Sequence, residues 1–128
     1  MPEVTVFTNL EQHTLKFQEL GLKIEQLGKE IQEHNDQLTL EYGQLIEECG
    51  KVIQQKVEEV NIYVQVAIEL AEEAQTNTQV AVELEDYYTD LKMHITRSQL
   101  EARVALINAL NIFAQMMQET IKLVGKHL

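Results

Sequence analysis

From Phe17 onward, apolar side chains recur at alternating steps of three and four residues, a spacing kept for more than a hundred residues. The first run is Phe17, Leu20, Ile24, Leu27 and Ile31. The same phase continues through Leu38, Tyr42, Leu45, Cys49, Ile53, Val57, Val60, Val64, Ala67 and Ala74. A second run follows from Leu84 through Tyr88, Leu91, Ile95, Ser98, Ala102, Ala105, Ala109, Ile112, Met116 and Leu123. Such spacing is the mark of amphipathic helices, since 3.6 residues per turn returns a side chain to the same face every third or fourth position. The only proline is Pro2 and there are five glycines, so sandwiches and βαβ folds, which need frequent breakers, are excluded. The chain reads as all-α: one domain over 1–128, an antiparallel helical bundle or long helical hairpin of three to four helices.

Helix boundaries follow from capping chemistry. Thr8-Asn9-Leu10-Glu11 fits a capping box and places the first helix start just after Thr8. Asn35-Asp36 favours a break, and Gln75-Thr76-Asn77-Thr78 is the best loop. Ser98-Gln99-Leu100-Glu101 also fits a capping box, although the apolar phase runs through it undisturbed. The expected helices are therefore 8–34, 37–75 and 78–126, the last open to division near 97–98.

The segment Glu19–Gln32 recurs 22 residues later as Glu41–Gln54, with eight of fourteen positions identical and both glycines of each copy kept. An offset of 22 is two hendecads, so on an unbroken helix the copies would share nearly one face. Interior glycines cost a helix about 1 kcal/mol each, so Gly21, Gly28, Gly43 and Gly50 suggest close backbone approach. Chance similarity in a chain rich in Glu, Gln, Leu and Ile is the other reading.

Charge narrows the function classes. The net charge of −11 argues against nucleic acid, whose phosphates need clustered Lys and Arg. Val57–Leu91 holds nine acids and no Lys or Arg, whereas 97–128 has a local excess of two positive charges. Glu69, Glu72, Glu73, Asp86 and Asp90 read as a face for a basic partner or as a solvated helix surface.

Val104–Gln118 is apolar on most of its circumference, with Asn108, Asn111, Gln115 and Gln118 as a narrow polar stripe. Burial at the bundle centre, an oligomer or partner groove through Leu106, Leu110, Phe113 and Met117, and membrane insertion compete for it. A homodimer or higher oligomer whose interface includes 104–117 is the expectation.

No enzyme signature is present: no Gly-rich phosphate loop, nucleophile elbow or zinc spacing occurs. No histidine has a Glu three residues upstream, as a di-iron bundle requires. Asp90 with His94, and Glu30 with His34, are spaced i, i+4 and could supply ligands to a metal, or simply touch on a helix surface. No cofactor is expected. Cys49 is the only cysteine, so no disulfide forms within the chain, and its apolar phase suits a small buried hydrophobe. Met1–Val6 has no basic n-region and no apolar run reaches a bilayer's width, so the expected location is cytoplasmic, with signal-less export through a specialised system left open.

The layout, with Tyr42-Gly43 after a break near 36, resembles the small helical-hairpin partners of type VII secretion. Those proteins carry Trp-x-Gly at the turn and Tyr-x-x-x-Asp/Glu near the end. Here the Trp is missing and no tyrosine has an acid four residues on, so membership is not assigned. The leading reading is a non-enzymatic protein–protein interaction module: an adaptor, export chaperone, inhibitor or assembly subunit. A membrane-active helical protein using the apolar C-terminal helix is the alternative, and a carboxylate-based metal-binding bundle comes third.

Overall fold

The computed structural model describes residues 4–34 and 36–127, which form three helices: α1 (Val4–Gln32), α2 (Gln37–Ala74) and α3 (Thr78–His127). The helices are 29, 38 and 50 residues long, and no strand occurs among the described residues. Both α1 and α3 pack along α2 and hardly meet one another, so α2 is the central helix.

The turns are closed by the residues that favour them. After α1, the amides of Glu33 and His34 donate to the carbonyls of Glu30 and Ile31. The Asp36 carboxylate accepts from the Thr39 amide at 2.8 Å while the Asp36 amide donates to the Thr39 hydroxyl at 3.4 Å, a reciprocal cap on α2. Asn35, the other residue of the expected break, lies outside the described residues. At the second turn the Asn77 side chain accepts from the amides of Gln79 and Val80, satisfying two otherwise unpaired donors at the start of α3.

Several boundaries differ from the sequence expectation. α1 begins at Val4, not after Thr8, and ends two residues before 34. The Glu11 carboxylate accepts from the Gln65 amide on α2, so it serves the contact between helices; the Thr8 side chain lies outside the described residues. α3 is not divided at 97–98, which removes the fourth helix. Ser98 is buried and its hydroxyl donates to Glu59 at 3.1 Å, while Glu101 receives Lys56 at 2.7 Å. The two residues that resembled a cap instead tie α3 to α2.

The core is one run of aliphatic side chains along α2. Ile46, Ile53, Val57, Val60, Val64 and Ala67 are at most 2% exposed. Ile24 and Ile31 of α1 reach them from one side, and Ala102, Ala105, Ala109 and Met116 of α3 reach them from the other. Leu27, Leu45 and Leu123 follow the apolar phase yet are 39%, 51% and 45% exposed. At the first two positions the neighbouring Gly28 and Ile46 are buried instead, because the glycines set which face of each helix is turned inward.

Candidate interaction surface

The four repeated glycines lie buried between α1 and α2. A Cβ built on Gly28 would fall on the Glu47 backbone nitrogen and 2.6 Å from the Gly43 carbonyl oxygen. One on Gly50 would fall on the Glu25 nitrogen and 2.7 Å from the Gly21 carbonyl oxygen. Those are backbone atoms with no room to move, and only glycine permits this approach. At Gly43 and Gly21 the nearest neighbours are side chains instead, Gln32 and Ile53, each at 2.7 Å.

Polar side chains repeat this reciprocity. The Gln32 amide donates to the Gly28 carbonyl at 3.1 Å and to Glu47 at 2.8 Å. The Gln54 amide donates to the Gly50 carbonyl at 3.1 Å and to Glu25 at 2.7 Å. Lys29 and Lys51 then pair with Glu25 and Glu47 at 3.1 and 3.0 Å. The backbone approaches of Gly28 and Gly50, the two Gln–Glu hydrogen bonds and the Lys–Glu pairs of the first copy are thus matched by those of the second on the opposite helix, as an approximate local two-fold axis requires. On an unbroken helix the copies would have shared a face; the connection between α1 and α2 folds them against one another instead. The Gln donors hold Glu25 and Glu47 below the usual glutamate range, with the lysines adding to the effect.

Between α2 and α3 the polar contact is a cluster of Lys56, Glu59, Ser98 and Glu101, to which Arg97 adds an ion pair with Glu101 at 3.3 Å. Lys56 holds Glu101 below its ordinary pKa, and Glu101 raises that of Lys56. Cys49 is half-buried beside Leu45, Val52 and Asn108 in a shallow groove between α2 and α3. Burial, and then the charge of Glu48, push its thiol pKa up, which disfavours the reactive thiolate.

The remaining sequence candidates lie outside these seams. Glu69, Glu72 and Glu73 are exposed in the last two turns of α2, and Asp86 and Asp90 are exposed in the first half of α3, so all five stand toward the end of the molecule that carries the 75–77 turn. Among the described residues no group of three or more His, Cys, Asp or Glu could hold a metal ion. His94 stacks on Tyr63 with ring centroids 4.9 Å apart.

The apolar C-terminal segment is not a central buried helix, because that position belongs to α2. Leu106 is half-buried against the core, whereas Leu110, Phe113 and Met117 are 60%, 36% and 45% exposed. Ile121 and Val124 extend the same flank in steps of three and four, and Leu100, Val104 and Ile107 form a second apolar row on the back of α3. That back row was not singled out from sequence; its signal was a three-and-four spacing two residues out of phase with the buried one. Among the described residues no helix is long and apolar enough to cross a membrane. Comparison with family models, curated proteins and solved structures finds no match to this chain.

Proposed function

We propose that the chain is a non-enzymatic protein–protein interaction module whose binding surface is the C-terminal half of α3. One observation carries this reading. Of the twenty large hydrophobic residues that stand exposed among the described residues, nine fall between Leu100 and Val124, on a helix that has a neighbour on one side only. Clustered apolar exposure of this kind marks a contact site, whereas scattered single residues would need no explanation. The acid-rich end, with Glu69, Glu72 and Glu73 exposed, adds a face suited to a basic partner. Adaptor, export chaperone, inhibitor and assembly subunit all use such a surface.

Site-specific photocrosslinking in source lysate tests this function. A crosslinker at Leu110 is expected to give discrete adducts with another polypeptide that one at the exposed Glu58 does not, and Met117→Glu should remove them. Leu110 is so exposed that Leu110→Glu should leave the fold intact, which separates loss of binding from loss of structure. Equal labelling from both sites, or vesicle leakage in place of adducts, overturns the reading.

A further inference from the structure

We infer that the back of α3 is a self-complementary surface that seats the back of α3 from a second copy of this chain, antiparallel and centred on residue 106. The inference rests on the reading of α3 as the binding helix and names the partner for one of its faces.

The helix buries Leu84, Ile95, Ser98, Ala102, Ala105 and Ala109 against α2. Residues two positions further on therefore point away from the molecule. Following the back of the helix in steps of three and four leads from Asp86 and Asp90 to Leu100, Val104 and Ile107, and on to Lys122 and Lys126. All seven are exposed, the three apolar side chains by 53–55%. One face thus carries two acids at one end, then an apolar row, then the neutral Asn111, Gln115 and Gln118, and two lysines at the other end. Between Val104 and Gln118 there is no charged residue at all. Arg97, a charge just before the apolar row, is already paired with its own Glu101.

An antiparallel pairing about a two-fold axis brings residue i against j and j against i. The midpoint of Asp90 and Lys122 is residue 106, and so is the midpoint of Asp86 and Lys126. A single register therefore sets both acids of each copy against both lysines of the other. The same register lays Val104 and Ile107 across the axis, so apolar surface meets apolar surface at the centre, with Leu100 of each copy level with the neutral Asn111 of the other. This matters in a chain of net charge −11, whose copies repel one another over most of their surface. Parallel pairing would set acid against acid and lysine against lysine, and is disfavoured by the same charges. The flank carrying Leu110, Phe113 and Met117 stays free for another protein. Lys122 is only loosely engaged within its own chain, 3.7 Å from Glu119 with a side chain 70% exposed, and so is free to exchange partners.

Sedimentation equilibrium of the full chain at tens of micromolar tests the pairing. The unmodified protein, 14.8 kDa as a monomer, is expected to sediment at twice that mass. The double variant Lys122→Glu/Lys126→Glu should weaken dimerisation by at least about tenfold, because two ion pairs made twice turn from attraction to repulsion. Asp86→Lys/Asp90→Lys should do the same, each with unchanged helix content by circular dichroism. An equimolar mixture of the two variants, or all four reversals in one chain, should restore the dimer. A monomeric mass for the unmodified protein overturns the pairing while leaving adducts at Leu110 to support the interaction reading. A dimer indifferent to both reversals also overturns it, and if Leu110→Glu splits that dimer the self-contact belongs to the other flank.

Discussion

The two long seams of this molecule are built on opposite terms. Between α1 and α2, backbone meets backbone at Gly28 and Gly50, and Gln32 and Gln54 cross to the opposing glutamates. Between α2 and α3, small and medium aliphatic side chains interdigitate around one polar cluster. The first seam is closed by groups that fit each other at backbone distance, and the apolar residues α1 and α2 leave exposed, such as Leu22, Leu45 and Ile62, are spread along both helices. The second uses one stripe of α3 and leaves two further apolar rows uncovered. A surface satisfied internally fixes the fold, and a surface left open remains available for association.

The contrast breaks most sharply at the glycines. Gly28→Ala or Gly50→Ala forces a methyl group into rigid backbone and should cost about 3 kcal/mol, the upper end for overpacking, against a propensity gain of only about 1 kcal/mol. Urea denaturation followed at 222 nm measures this, and a loss below about 1 kcal/mol would show that the seam has room to part.

The same denaturation applied to the other seam should read differently. Met116→Ala removes a buried side chain that is 7% exposed and should cost about 2 kcal/mol, the low end of the large-to-small range, because neighbours at the open edge of α3 can settle into the space. A cost above that of Gly28→Ala would invert the comparison.

Acid should loosen the glycine seam in a direction fixed by its carboxylates. Glu25 and Glu47 are held below the ordinary value of 4.5 when folded, so their contribution is present above that value and is lost as pH falls through the depressed ones. The urea midpoint should therefore drop on acidification below about pH 4.5, and Glu25→Gln/Glu47→Gln should flatten the decline. Glu101 shares the trend and is unaffected by that double variant, so a residual slope is expected.

The smallest effect is the mirror of the largest. Gly125 has nothing within 4 Å of a built Cβ, so Gly125→Ala should stabilise the end of α3 by a few tenths of a kcal/mol, short of the roughly 1 kcal/mol of an interior site. Destabilisation there would mean that a neighbour is seated on that turn in solution.

Fold class was legible because periodicity is a local property: the 3.6 spacing needs no knowledge of partners. The turns at Asp36 and Asn77 were legible for the same reason, since caps are written in adjacent residues. Which helix lies in the middle was not, because α2 and α3 carry similar apolar stripes and only packing chooses between them. Ser98 and Glu101 misled, because Ser and Glu three apart can cap a helix or bond across one, and the sequence alone does not distinguish the two. The repeat was visible, but its meaning required the turn between the copies to be read as folding them together. The apolar excess of 104–117 marked the Leu110 flank, whereas Leu100, Val104 and Ile107 carry a spacing out of phase with the buried stripe and were not legible as a surface of their own.

The placement of the two turns has a kinetic consequence. Closing a short loop loses little chain entropy, so the first contacts to form are those nearest each turn. Next to the α1–α2 connection these join Gln32 to Glu47, and at the 75–77 turn they join the start of α3 to the end of α2. The turns sit at opposite ends of α2, so pairing advances along it from both directions: the α1 front runs from the first turn toward the Glu11–Gln65 contact, the α3 front from the second turn toward Met116 beside Ile46, and the two pass one another near Val57 and Val60. There a partly open pocket of about 60 Å³ lies among Thr14 and Phe17 of α1, Val57 and Val60 of α2, and Ala102 and Arg103 of α3. Each half of α2 is thus covered early by one neighbour and late by the other, and only its middle receives both together.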